Sequence, residues 1–109
     1  MASSSFPTWL ALSDGGPVAD LANIVGARTI QMTTDPLLFA DLLRSARPRV
    51  AIISTPPAGP ADIEVALDER RRRSSLRVVL ISPLLAIAPR LDALRAGADE
   101  ALADTIDPT

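Results

Sequence analysis

Apolar positions in this chain come in two kinds that take turns. One kind is a short unbroken run, as in Trp9 to Leu12, Val50 to Ile53 and Val78 to Ile81. The other is a stripe at helical spacing, as in Val18, Leu21, Ala22 and Val25, or Leu38, Phe39, Leu42, Leu43 and Ala46. Unbroken runs of four suit strands covered on both faces, and i, i+3, i+4, i+7 stripes suit helices packed on such strands. The first run predicts a buried strand over 9–12 that ends at Ser13, with Asp14-Gly15-Gly16 as the turn. A helix follows from Pro17, suited to a first helical turn, and stops at Gly26.

Residues 28–32 hold β-branched residues and some alternation, which fits a second strand with one less apolar face. Thr33-Thr34-Asp35-Pro36 reads as a capped helix start, and Pro48 as its terminator. The third strand spans 50–53, and Ser54 to Pro60 forms a loop. A third helix starts at Ala61 or Asp62, turns Ile63, Ala66 and Leu67 inward, and ends in Arg70 to Arg73. The fourth strand covers 77–81 and exits through Ser82-Pro83. A fourth helix is predicted over 84–96, where Pro89 must either kink it or delay its start. Leu91 and Leu94 share one of its faces, and Gly97 suits a left-handed cap. Ala101 to Ala103 is a short fifth strand, and Asp107-Pro108 opens a turn.

Strands and helices in strict alternation predict a parallel sheet with helices on both faces, a three-layer α/β sandwich. In such sheets functional groups collect at the carboxyl ends of the strands. That edge here carries Ser13, Asp14, Thr33 to Asp35, Ser54, Ser82 and Asp104.

Composition narrows the chemistry available there. The chain has 109 residues, room for one domain, with 48% hydrophobic and 3% aromatic residues, so its core is aliphatic. It contains no histidine and no cysteine, and each of its 11 basic residues is an arginine. The commonest general base and metal ligand is therefore missing, as are thiol and lysine chemistry. A formal charge of -2 gives no electrostatic case for nucleic acid or an acidic membrane. No apolar run approaches a membrane span, and residues 1–7 lack the basic start and apolar stretch of a signal peptide. Residues 1–7 are read as a tail, and a cytoplasmic location is expected.

The stretch Leu94-Arg95-Ala96-Gly97-Ala98-Asp99, continued by Leu102 and Asp107-Pro108, resembles the segment from the fourth helix to beyond the fifth strand of response-regulator receiver domains, where AGADxxL-KP-x-DP is typical. With the element order, the resemblance extends from Trp9 to Pro108. It implies a flavodoxin-like sheet in the order 2-1-3-4-5, a domain over 8–109, and a fifth helix missing from the chain. It also implies phosphoryl transfer from a histidine kinase to an aspartate. That chemistry needs an acidic pair after strand 1 for Mg²⁺, an acceptor aspartate after strand 3, a Ser/Thr after strand 4 and a lysine after strand 5.

Residue by residue the pattern fails. Ser13-Asp14 stands at the acidic pair, Ser54 at the acceptor, Ser82 at the Ser/Thr position, Asp104 at the lysine and Ala101 at the aromatic switch position. Gly59, five residues after Ser54, resembles the turn glycine found there. A serine cannot form an acyl phosphate, and Asp104 reverses charge where an anion needs stabilising. One certain carboxylate is a weak Mg²⁺ site. The expectation is a degenerate pseudo-receiver with no catalytic residues, metal or cofactor.

Each candidate also has a plainer reading. Asp14 could join Asp35 and Asp104 around a metal, or simply cap the Pro17 helix. Ser54 has no histidine or lysine to activate it, and bonding the local backbone is the simpler role. Arg70 to Arg73 could bind an anion or nucleic acid; with Asp68/Arg72 and Glu69/Arg73 at i,i+4 it reads better as a solvated helix end. Gly15-Gly16 lacks the spacing of a phosphate-binding loop.

Leu84-Leu85-Ala86-Ile87-Ala88 is more apolar than one buried face needs. Receivers commonly dimerise on the surface of helix 4, strand 5 and helix 5, so Leu84, Leu85, Ile87, Leu91, Ala101 and Ala103 are interface candidates. Partners would be a second copy or an output domain of a longer protein. Two other functions stay open at this point. One is a working receiver with atypical metal or phosphate chemistry, and the other is a small-molecule sensor in the strand-end cleft.

Overall fold

A computed structural model describes residues 9–14, 30–55 and 57–104. The strands are β1 (Trp9–Leu12), β2 (Ile30–Thr33), β3 (Val50–Ser54), β4 (Arg77–Pro83) and β5 (Glu100–Asp104). The described helices are α1 (Pro36–Ser45), α2 (Pro60–Arg72) and α3 (Ile87–Ala96). All strand pairs are parallel, and the sheet has the predicted order β2-β1-β3-β4-β5. The predicted helix at Pro17, the tail and the Asp107-Pro108 turn lie outside the described residues.

Strand periodicity explains the unbroken apolar runs. Leu10, Leu12, Ala51, Ile53, Val78 and Leu80 point to one face, where they meet Phe39 and Leu43 of α1, Ala66 and Leu67 of α2 and Ala93 of α3. The alternate residues Ala11, Ile52 and Ile81 build a second cluster on the other face, flanked by Trp9, Val50, Val79 and Leu102. β2, at the sheet edge, is less covered, and its Met32 is exposed.

Helix starts follow their proline signals. Asp35 caps α1 by accepting from the Leu37 amide at 3.0 Å, and its own amide donates to Thr33 Oγ1 at 3.0 Å. α1 ends at Ser45, and Arg47 takes a left-handed φ of 50°. Pro48 disfavours the α region for the residue before it. α2 begins at Pro60, earlier than the predicted Ala61 or Asp62. Gly59 is its cap residue, and Asp62 accepts the Gly59 amide at 2.9 Å.

α3 starts at Ile87, three residues later than predicted. A proline ring clashes with the carbonyl four residues back, so Pro89 is tolerated in the first turn but excludes Leu85 from the helix. Of the two outcomes expected of Pro89, the structure takes the delayed start. At the other end Gly97 adopts φ 118°, and the Ala98 amide bonds back to Ala93 O at 2.9 Å.

The solvated reading of Arg70 to Arg73 needs correction. Arg71 and Arg72 are exposed, and the Asp68–Arg72 pair forms at 3.3 Å. Arg70 and Arg73, one turn apart, point inward instead. Arg73 donates to Pro48 O (2.9 Å) and Leu43 O (3.4 Å), tying the end of α2 to the end of α1. Arg70 grips Asp99 through Nε (2.8 Å) and Nη2 (2.7 Å). The Asp99 carboxylate also accepts the Val78 amide at 2.8 Å, and Arg77 lies 3.5 Å away. The Arg70 bonds, the Val78 amide and the two guanidinium charges outweigh the cost of burial, and they hold the Asp99 carboxyl down at about 2.

Candidate functional site

The register brings the sequence candidates to one edge of the sheet. Leu12 pairs with Ile53, so Ser13 follows beside Ser54 at the ends of β1 and β3. Ser54 pairs with Ile81, one step before Ser82. Across β4 and β5, Ser82 pairs with Ala103 and Pro83 with Asp104. The Ser13 amide donates to Thr33 O at 2.9 Å, and the Thr55 amide to Ile81 O at 2.9 Å. These bonds close the edge.

Ser13, Ser54 and Ser82 are the buried polar residues among those described. Their surroundings differ. Ser54 is 5% exposed, and its Oγ has no hydrogen-bond partner. The expected local backbone bond does not form. Ser82 is fully engaged: its Oγ donates to Ala86 O at 3.0 Å and accepts from Arg90 Nη1 at 2.8 Å. Asp14 is exposed beside an open hollow of about 370 Å³, lined also by Ser13, Met32, Thr33 and Thr34. Neither Ser54 nor Ser82 lines that hollow. Asp35 is occupied as the α1 cap, so it is not a free ligand.

The receiver fold implies Mg²⁺ at this edge, and the donor set does not fit it. Mg²⁺ is held through carboxylates and phosphate oxygens in a strict octahedron. Here the acidic pair offers one carboxylate, and the acceptor position offers a buried hydroxyl. Among the described residues, no three His, Cys, Asp or Glu side chains gather as a metal would require. The lysine of the receiver pattern is also gone, since the chain has none.

Arg90 is the residue that the sequence reading missed. Its Nη1 donates to Ser82 Oγ and also to Pro83 O (2.7 Å) and Ser82 O (3.4 Å), and Nη2 donates to Leu84 O (2.9 Å). A signal was present in the sequence. Arg90 is a cation in the first turns of a helix, where the macrodipole disfavours positive charge.

The interface candidates divide into two groups. Leu84, Leu85, Ile87 and Leu91 are exposed, as is Leu94, and Leu85 is 90% exposed. Ala101 and Ala103 are half-buried, and Ala101 packs against the helix-side core. Ala93 is the buried residue of α3, so the leucine face of that helix points away from the sheet.

No protein-family model matches the chain, and no curated protein matches it. Solved structures do. NtrX from Brucella abortus, crystallised with ATP, superposes with a TM-score of 0.68 at 19% identity, over 91% of this chain and 23% of NtrX. This chain thus spans about a quarter of that protein. A response regulator from Thermotoga maritima gives a TM-score of 0.69 at 12% identity, over 94% of this chain and 87% of its own. The orphan response regulator HP1043 of H. pylori gives 0.69 at 14% identity, over 99% and 89%. With its strand order and register, the chain has the fold of the response-regulator receiver domain.

Proposed function

We propose that this chain is a pseudo-receiver, a non-catalytic and phosphorylation-independent module of bacterial two-component signalling. It acts in the cytoplasm through protein contact. The observation that carries the reading is Ser54: where a receiver presents its acceptor carboxylate, β3 ends in a buried hydroxyl that bonds nothing. Without lysine, no ammonium is available to neutralise a phosphoryl group.

The contact surface is the outward face of α3 with the turn before it. Ile87, Leu91 and Leu94 are spaced i, i+4, i+7, a helical seam that a second helix with the same spacing can fill. A second copy of the chain brings such a seam, so a symmetric dimer is the assembly favoured here. Docking of an output domain is the other outcome of the test. The solved structure of HP1043, which shares this fold, is described as that of an orphan response regulator.

Titration with Mg²⁺ and beryllofluoride, followed by amide shifts and Trp9 fluorescence, tests the reading. No response is expected. A saturable response at Asp14, Ser54 and Ser82 would establish working receiver chemistry instead. Sedimentation of wild type and Leu91→Arg tests the surface: a concentration-dependent dimer that the variant abolishes supports it. A monomer at all concentrations leaves the output domain as the occupant.

A further inference from the structure

We infer that Arg90 is a lock, which fixes the turn between β4 and α3 in one conformation and presents Leu84 and Leu85 to a second copy of the chain. The inference rests on the contact reading above and deepens it by naming what holds that surface in its presenting form.

Three successive carbonyls, of Ser82, Pro83 and Leu84, accept from the one guanidinium. The donors are in a rigid planar fork, so these carbonyls are held in a fixed mutual arrangement. Two further bonds close the turn: the Ala86 amide donates to Pro83 O at 2.9 Å, and Ser82 Oγ donates to Ala86 O at 3.0 Å. A free turn carrying two leucines would collapse them onto the neighbouring apolar face of α3, because exposed apolar surface is unfavourable. Instead Leu85 is 90% exposed. A backbone clamped at three carbonyls keeps it there. Binding to such a fixed turn avoids the ordering cost that a mobile turn would impose.

The same bonds insulate the surface from the strand-end edge. A serine hydroxyl has one donor, and that of Ser82 is spent on Ala86 O while Arg90 occupies a lone pair. Ser82 therefore has no free proton to offer an anion above Ser54, and the turn has nothing to respond to. The surface is constitutively in its presenting state.

Amide hydrogen exchange of the full chain tests the lock, measured at concentrations where sedimentation shows monomer. In Arg90→Ala the Ala86 amide should exchange at least tenfold faster, with the Ile52 and Ile81 amides changed less than twofold. Arg90→Lys keeps the charge but replaces the planar fork by a point charge on a flexible stem, which does not hold three carbonyls in one fixed arrangement, so Ala86 should speed up there as well. It also decides the matter if the alanine variant does not fold. An unchanged Ala86 rate in both variants overturns the lock, as does a uniform rise that includes the core amides. Self-association should weaken about tenfold in Arg90→Ala; faster exchange with unchanged association overturns the presenting role. A wild-type chain that never dimerises sinks the dimer reading alone, and the exchange rates then decide the lock.

Discussion

Replacing Asp99 by asparagine should remove one of the stronger single contributions to this fold. The side chain is 13% exposed, takes two bonds from Arg70 and one from the Val78 amide, and joins α2 to the β4–β5 edge. Its carboxyl titrates at about 2 instead of 3.8, held down first by the Arg70 bonds. At about 1.36 kcal/mol per tenfold change in proton affinity, this corresponds to about 2 kcal/mol. The unfolded chain takes up this proton first as pH falls, so the contribution is fully present above about pH 4 and disappears as pH drops toward 2. The side-chain amide introduced by Asp99→Asn would still accept the Val78 N–H through its oxygen but would carry no charge for Arg70. Urea denaturation followed by far-UV circular dichroism at pH 7 should show a loss of about 2 kcal/mol with an unchanged slope, about 10 °C in Tm. Between pH 4 and 2 the wild type should lose stability more steeply than Asp99→Asn, and the two curves should converge. A double-mutant cycle with Arg70→Met should return most of the loss as coupling. A loss below about 0.5 kcal/mol, the level of an exposed ion pair, or parallel pH curves, would refute the reasoning.

Four further substitutions test other parts of the structure by urea midpoint. Ser54→Ala should be neutral or stabilising by up to about 1 kcal/mol, because it deletes a buried hydroxyl with no partner; a loss above about 1 kcal/mol would mean that Ser54 has a structural bond. Arg73→Ala should cost about 1–2 kcal/mol and speed amide exchange at the end of α1, whereas Arg72→Ala should stay within about 0.5 kcal/mol; equal effects would refute the inward role of Arg73. Gly97→Ala should cost about 1 kcal/mol although no atom lies within 4 Å of the added methyl, since φ 118° is unfavourable for any residue with a Cβ; a neutral result would mean that the cap relaxes.

The sheet was legible because its signals are local and redundant. Each central strand carries an unbroken apolar run, each described helix has a proline in its first turn, and Gly97 marks a stop. Boundaries were less so: whether Pro89 kinks a helix or delays it depends on what the preceding residues do instead, and here Ala86 turns back to Pro83. The arginine run misled because both expected i,i+4 pairs form, Asp68–Arg72 at 3.3 Å and Glu69–Arg73 at 3.6 Å, and account for it locally, while Arg70 and Arg73 also reach partners 29 and 25 residues away. The strand-end serines could be listed from sequence. Their states could not, since the partner of Ser82 lies a helical turn inside α3 and the lack of one at Ser54 is a property of the packed edge.

Ala93 is the buried residue of α3, and Arg90 ties that helix to the end of β4. Nearly all the rest of that helix is therefore free of the requirement to build a core. Ile87, Leu91 and Leu94 are about half exposed and contribute less to folding than the buried core leucines, so on the proposed contact reading they can change partner preference at a smaller cost in stability. On that reading, two copies of a duplicated gene could diverge in the partner they recognise by changing three side chains, with the sheet and its buried core left in place.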